Sequence, residues 1–257
     1  MKQLLVVLLV GLLPAAAQEA RTPETKVKLF NGWNLEGFTV FLRENGMNDP
    51  RRVFTVRDKK IVVSGEEWGA LTTVDEWRDY RLVVEWRWGG KAWPPREKRA
   101  RDSGILLHAV GAPEGKRNGW LQSYEYQIIE GGTGDMIPVA GEQRPKSMAE
   151  VRFGPDKQPY FEAGAQPQEF DRQRVNWWGR DVNWKDELGF RGMKDVEKKV
   201  GQWNRSEIVA RGDTLTFYLN GRLVNRLLRL SQTAGKIQFQ SEGAEIWFRK
   251  IEIEPLE

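Results

Sequence analysis

The stretch from Asp102 to Glu130 concentrates side chains able to move protons. Written as an extended strand, Asp102-Ser103-Gly104-Ile105-Leu106-Leu107-His108 sends Ser103, Ile105 and Leu107 to one face. Asp102, Gly104, Leu106 and His108 fall on the other, because side chains alternate along a strand. The first set suits a core. The second is polar at both ends, with a glycine leaving room between them, which is the pattern of a ligand floor. In Tyr124-Glu125-Tyr126-Gln127-Ile128-Ile129-Glu130, Glu125 and Gln127 share a face opposite Tyr124, Tyr126 and Ile128. If the two strands pair, Glu125, Gln127 and His108 converge. His108 is the only histidine of the chain, and histidine is the side chain that titrates near neutrality. Its plainer reading is a structural group hydrogen-bonded near a sheet edge.

The spacing Glu125-x-Gln127-x-x-Glu130 echoes the Glu-x-Asp-x-x-Glu strand of sandwich-fold β-glucanases, where two carboxylates act as nucleophile and acid. Here the central Asp is Gln127, and Glu130 lies an odd number of residues from Glu125, so it points away unless a bulge intervenes. A conventional two-carboxylate glycosidase is therefore disfavoured. Gly131-Gly132-Thr133-Gly134 is a flexible turn with no following helix and gives no phosphate-loop signal. The chain holds 12 Trp, whose flat apolar faces serve both cores and sugar stacking. Trp120 and the pair Trp177-Trp178 are the candidates for stacking, although Trp177 and Trp178 cannot share a face if extended. Asp79 is expected to brace a turn.

The elements that must position these groups read as strands from one end to the other. Val53–Val56 and Lys60–Val63 flank the polar Arg57-Asp58-Lys59 as a hairpin. Ala70–Thr73, the long alternating run Tyr80–Trp88, then Gly104–Ala109 and Ser123–Ile129 follow. Ser206–Ala210, Thr214–Leu219, Arg222–Asn225, Lys236–Gln240 and Ile246–Ile253 complete the set. Asn220-Gly221 between two β-rich runs is the strongest short hairpin signal. No segment sustains a helical period. Short antiparallel strands joined by turns predict an all-β sandwich or jelly roll of two sheets. Two stretches break the pattern: the basic loop Gly89–Asp102, and residues 140–201, read as a long irregular covering loop that is either functional or merely seals the sandwich edge.

Lys2, the apolar run Leu4–Leu13, Pro14 and Ala15-Ala16-Ala17 describe a secretory signal peptide over residues 1–17. The run is shorter than the roughly 20 residues a membrane span needs. Cleavage is expected after Ala17, leaving one domain over 18–257 that is periplasmic or secreted, with no integral membrane segment in the mature chain. There is no cysteine, hence no disulfide; a core of this size can be stable without one. Lys and Arg total 40 against 36 acidic residues. That is a mixed surface, and no nucleic-acid partner is expected, since that would need a basic stripe.

Eight short motifs then appear in a fixed order: Leu29-Phe30-Asn31-Gly32-Trp33-Asn34-Leu35, Asp79-Tyr80-Arg81-Leu82, Asp102-Ser103-Gly104-Ile105, Glu125-Tyr126-Gln127-Ile128, Gly201-Gln202-Trp203-Asn204, Leu219-Asn220-Gly221, Gly235-Lys236-Ile237-Gln238-Phe239-Gln240 and Trp247-Phe248-Arg249-Lys250-Ile251. Together, from about residue 28 to 253, the chain resembles the 3-keto-disaccharide hydrolase domain family. The family often has Asn at the place of Asp102, Arg at that of His108 and His at that of Glu242. The resemblance implies a concanavalin-A-like jelly roll acting on a small-molecule sugar oxidised at C3, a 3-keto-glycoside. A C3 ketone acidifies the C2 hydrogen, so a base can form an enolate and the C1 substituent can leave; water then adds back, giving net hydrolysis. Such a site needs a base, a stabiliser for the enolate oxygen and an acid for the leaving group. On this reading Glu125 or His108 takes the C2 proton, while Gln127, Gln240 and Arg249 orient the sugar or hold the oxyanion. A divalent cation held by carboxylates could do the same. Asp102 lies on the same floor. Arg249 reads equally as a packing residue of the last strand, and Asn204 as a sugar hydrogen-bonder or a turn residue. The rival readings are a non-catalytic carbohydrate-binding module of the same fold, a structural cell-envelope module recruiting a protein, and an ordinary glycosidase.

Overall fold

The computed structural model describes residues 19–257; the expected leader and its cleavage site lie outside them. Seventeen strands form in chain order. They are β1 (Val27–Lys28), β2 (Phe38–Leu42), β3 (Phe54–Arg57), β4 (Lys60–Val63), β5 (Gly69–Thr73), β6 (Tyr80–Ala92), β7 (Asp102–Val110), β8 (Gln122–Ile129) and β9 (Met136–Val139). Then follow β10 (Ser147–Phe153), β11 (Pro159–Phe161), β12 (Pro167–Phe170), β13 (Asn204–Arg211), β14 (Thr214–Leu219), β15 (Arg222–Leu228), β16 (Lys236–Ser241) and β17 (Ala244–Glu254). Among the described residues the only helical element is one 3-10 turn, Gly115–Arg117, and no helix is long and apolar enough to cross a membrane.

The strands make two antiparallel sheets, the jelly-roll sandwich expected. The larger runs β11-β10-β15-β14-β13-β6-β17-β4-β3, with β1 on β17 and β12 on β10; the smaller runs β2-β5-β16-β7-β8-β9. Turn chemistry sets the register. Asp58 and Lys59 both take positive φ between β3 and β4, and Asn220 (φ 50°) and Gly221 (φ 79°) do so between β14 and β15, matching the twist of a two-residue hairpin. Tyr80, Leu82, Val84, Trp86 and Trp88 of β6 face Ile105, Leu107, Tyr124, Tyr126 and Ile128 of the smaller sheet inside one continuous core. Trp86 Nε1 and Tyr126 Oη both bond Ser206 Oγ, at 2.9 and 3.0 Å, so the polar tips of these two aromatics are satisfied within it.

Two expectations need correction. Strand β6 continues four residues past Trp88, because Ala92 still pairs with Ala244 at the start of β17 across a register shift, and so the basic loop is shorter. Residues 140–201 are not uniformly irregular, since they contain β10, β11 and β12. Ala149 and Val151 of β10 are buried between half-buried Met148 and Glu150, a real period-2 pattern cut short by Gly154 and Pro155. Only residues 171–203 form the covering segment.

Candidate active site on the outer face of the smaller sheet

Gly104 on β7 sits opposite Gln127 on β8, Leu106 sits opposite Glu125, and β16 lies on the other side of β7. Alternation therefore brings Asp102, Glu125, Gln127 and Gln240 to the sheet face turned away from the core. The structure places these four together. A Cβ on Gly104 would run into Gln240 Oε1 and Glu125 Oε1, so the glycine is what lets the two side chains lie over the floor. Gln127 Nε2 donates to Asp102 Oδ1. Gln240 is fully buried and faces the Glu125 carboxyl, yet neither of its amide atoms completes a hydrogen bond of normal geometry.

Two loops complete the site with residues that strand alternation does not reveal. Arg96, on the β6–β7 loop, ion-pairs with Asp102 and lies 3.2 Å from Glu242 Oε1 on the β16–β17 turn. Its other terminal nitrogen is 3.3 Å from Asp186 of the covering segment. Asp186 in turn accepts from Ala100 N (3.1 Å) and Arg99 Nε (2.8 Å), fastening the loop down. Arg174, held at 3.0 Å by Asp135, adds positive charge near Asp102 and Glu125.

Three carboxyl groups thus share one nearly dry cluster: Asp102 is 3%, Glu125 4% and Glu242 7% exposed. Burial disfavours the charged form, and so do like charges nearby. Burial pushes Glu125 up to about 8, with Asp102 adding to it. Glu242 is raised well above the ordinary range by burial and by both other carboxylates. Asp102 rises less, to about 6, because the Arg96 guanidinium opposes its burial. The site therefore holds carboxyls of graded acidity, the arrangement that separates a proton donor from an acceptor.

The remaining candidates lie elsewhere. His108 does not join the floor. The β7 ladder is interrupted between Leu107 and Val110, and His108 takes φ 52°, so its ring turns into the sandwich and packs edge-on against Tyr80 of the other sheet at 5.8 Å. Burial lowers it to about 4, so it is neutral there. Arg249 is on the outer face of the larger sheet, 2.5 Å from Glu85 and over Trp203. Asn204 is interior: its Oδ1 accepts from Lys198 N (2.8 Å) and Asn220 Nδ2 (2.9 Å), bracing the β14–β15 turn. Trp120 is a rim residue, stacked on Trp68 at 5.8 Å with its Nε1 3.4 Å from Gly69 O, the β5 residue that pairs with Ser241 beside Gln240. Glu130 faces Arg101 and Gly189, anchoring the covering segment. Asp79 braces Gly212 N at 2.7 Å, as expected of it.

The carboxylates do not suit a divalent cation. Among the described residues no three His, Cys, Asp or Glu side chains are arranged to hold one, and Arg96 already occupies the space between Asp102 and Glu242. A wider concavity of about 560 Å³ lies on the larger sheet, but its charges pair among themselves, Arg81 with Glu207 and Lys26 with Glu254.

Residues 25–254 match the 3-keto-alpha-glucoside-1,2-lyase-like domain model. The chain belongs to that family. Comparison with curated protein sequences gives no match. Two crystal structures from Parabacteroides distasonis ATCC 8503, both described as candidate glycosyl hydrolases, share the fold. One is 18% identical, covering 91% of this chain and 95% of its own, with a TM-score of 0.53. The other is 19% identical, covering 91% and 100%, with a TM-score of 0.51. Membership of this family makes the chain a carbohydrate-active protein, and the outer face around Gly104 is its candidate site on geometry alone.

Proposed function

We propose that the chain cleaves the glycosidic bond of 3-keto-glycosides by elimination followed by hydration. The observation that carries this reading is the set of three buried carboxyls of unequal acidity around Gly104, with the unpaired Gln240 amide beside them. Glu125 is the base: a carboxylate made unusually basic by burial is matched to a C2 hydrogen acidified by the neighbouring ketone. Gln240 donates to the developing C3 oxyanion, and Arg174 supplies positive charge beside it. As the C2–H bond breaks, C1=C2 forms and the C1–O bond breaks. Glu242, held protonated, gives its proton to the departing oxygen. Water then adds across C1=C2, hydroxyl to C1 and proton to C2, so the sum is hydrolysis. Asp102, kept ionised by Arg96 and bonded by Gln127, accepts a sugar hydroxyl. Trp120 forms an aromatic wall at the rim.

The test is aglycone release from a chromogenic 3-keto-glucoside, with the unoxidised glucoside as control and with and without chelator. Release only from the keto sugar, unaffected by chelator and accompanied by C2 deuterium exchange in D₂O, is expected. Glycan binding without release from any keto substrate would make the chain a binding module instead. We also infer export through the leader read in residues 1–17; N-terminal sequencing of the mature protein should start at Gln18, and a retained Met1 overturns it.

A further inference from the structure

Arg249, absent from the floor, belongs to a different assembly. On the outer face of the larger sheet, guanidinium and indole groups alternate in an unbroken stack. Arg57 lies 5.3 Å and Arg87 4.8 Å from the Trp247 ring centre; Arg87 lies 5.0 Å and Arg249 4.4 Å from that of Trp203. The five residues come from β3, β17, β6 and the position just before β13, and β3-β4-β17-β6-β13 are neighbours in the sheet. The ladder therefore runs across the strands. Four steps of about 4.8 Å make a band on the order of 19 Å long.

Its charge is specific in amount. Arg249 is matched by Glu85, which also faces Arg205 at 3.8 Å and Lys250 at 4.0 Å. Arg57 and Arg87 have no carboxylate within ion-pair distance among the described residues. Arg57 is exposed and Arg87 half-buried, and the exposed Lys198 and Lys199 lie just before Gly201, whose carbonyl accepts from Arg87 at 3.5 Å. The indole faces are covered by guanidinium groups, so what the surface offers is forked N–H donors on a stiff, flat support.

We propose that this ladder binds an acidic polysaccharide, a linear glycan carrying isolated carboxylates. The ligand is a polymer because the band crosses five strands, and it is acidic because two guanidiniums are unmatched. Charge density selects a glycan over nucleic acid. Duplex DNA presents one phosphate per about 1.7 Å, roughly eleven over this band, whereas the band has two free guanidiniums and retains Glu85 and Glu245, whose carboxylate accepts from Trp247 Nε1 at 2.6 Å. Burial of the indole faces under arginine argues against a membrane surface, which takes its contacts from free aromatic faces. The site is independent of the reaction proposed above and stands or falls without it.

The probe is polygalacturonate, immobilised, with neutral β-glucan as control and duplex DNA and anionic phospholipid vesicles as competitors. Wild-type protein should be retarded by polygalacturonate alone and released by added salt. The double substitution Arg57→Gln, Arg87→Gln should weaken binding about tenfold while circular dichroism and turnover of a sugar substrate stay unchanged. No retardation of the wild type, equal retardation of the double variant, or stronger binding to DNA or vesicles than to polygalacturonate would each overturn the proposal.

Discussion

Glu125→Gln separates catalysis from stability in a way that follows directly from where the carboxyl is buried. In the folded protein Glu125 titrates near 8 against an ordinary 4.5. Between those values the folded state holds a proton that the unfolded chain has released, so stability is lost as pH rises through the window. The full difference of 3.5 pH units, at 1.36 kcal/mol each, is about 5 kcal/mol. Glutamine is the neutral near-isostere and does not incur this cost. The variant should therefore gain relative to wild type by about 1 kcal/mol at pH 5, about 3 at pH 7 and about 5 at pH 9. Any mismatch of the amide with Gln240 shifts all three values equally and leaves the trend. Removing the Glu125 charge also relieves Glu242, whose pKa that charge helps to raise, and this acts in the same direction at high pH. Urea unfolding at the three pH values measures the trend. Loss of the base should at the same time lower kcat by about 10²–10⁴. A stability difference that does not change with pH would mean that Glu125 is ionised in the fold like a surface carboxylate, and the base assignment would fall with it.

His108→Ala should leave kcat unchanged, because the ring faces Tyr80 inside the sandwich, and should cost about 2–4 kcal/mol through the cavity it leaves. Because burial holds His108 near 4 rather than 6.5, the wild type should lose stability as pH falls from 6.5 through 4, and the alanine variant should lose less over that range; equal acid slopes refute the placement. Gly104→Ala should reduce kcat/KM by at least about 10² while costing only about 1–3 kcal/mol, since the methyl intrudes on Glu125 and Gln240; wild-type turnover would put the reaction elsewhere. Arg96→Gln strands the ionised Asp102 without its cation and should destabilise by about 3–5 kcal/mol at neutral pH. The loss should shrink in acid as the carboxyl protonates, and a pH-independent loss would indicate a packing role alone.

How much of this was legible depends on what kind of contact places each residue. Asn220-Gly221 and Asp58-Lys59 announce their hairpins because a two-residue turn demands positive φ from residues that tolerate it. Asp102, Gly104, Glu125 and Gln127 could be put on one face because a single strand pair holds them, and alternation within a strand is a local property. His108 escaped the same logic. One irregular residue reverses the parity of everything beyond it, and the only glycine at the bulge, Gly235, lies across from His108 on the neighbouring chain segment, far away in sequence. Arg249 failed for another reason: alternation says which side of a strand a residue takes, not which of two sheets the strand joins, and β17 joins the larger one. The short strands β10 to β12 were lost among prolines and glycines, each having too few alternating residues to stand out.

Arg96 is the instructive omission, and Glu242 was marked only as a departure from the family pattern and given no role, yet the site's acidity depends on both. Arg96 belongs to a basic loop whose sequence reads as a solvated surface, and Glu242, 140 positions beyond Asp102, arrives through a turn between two late strands. Nothing local joins them. The one trace is Gly243, which takes φ 79° and whose Cβ would meet Arg96 Cγ at 2.8 Å. That glycine both makes the turn and leaves the space through which the arginine reaches two buried carboxylates. Asp186 then ties the Arg96 loop to the covering segment, so residues 171–203 act on the floor through this loop as well as through Arg174. They fix the position of the guanidinium, and the guanidinium decides which of the three carboxyls keeps its charge.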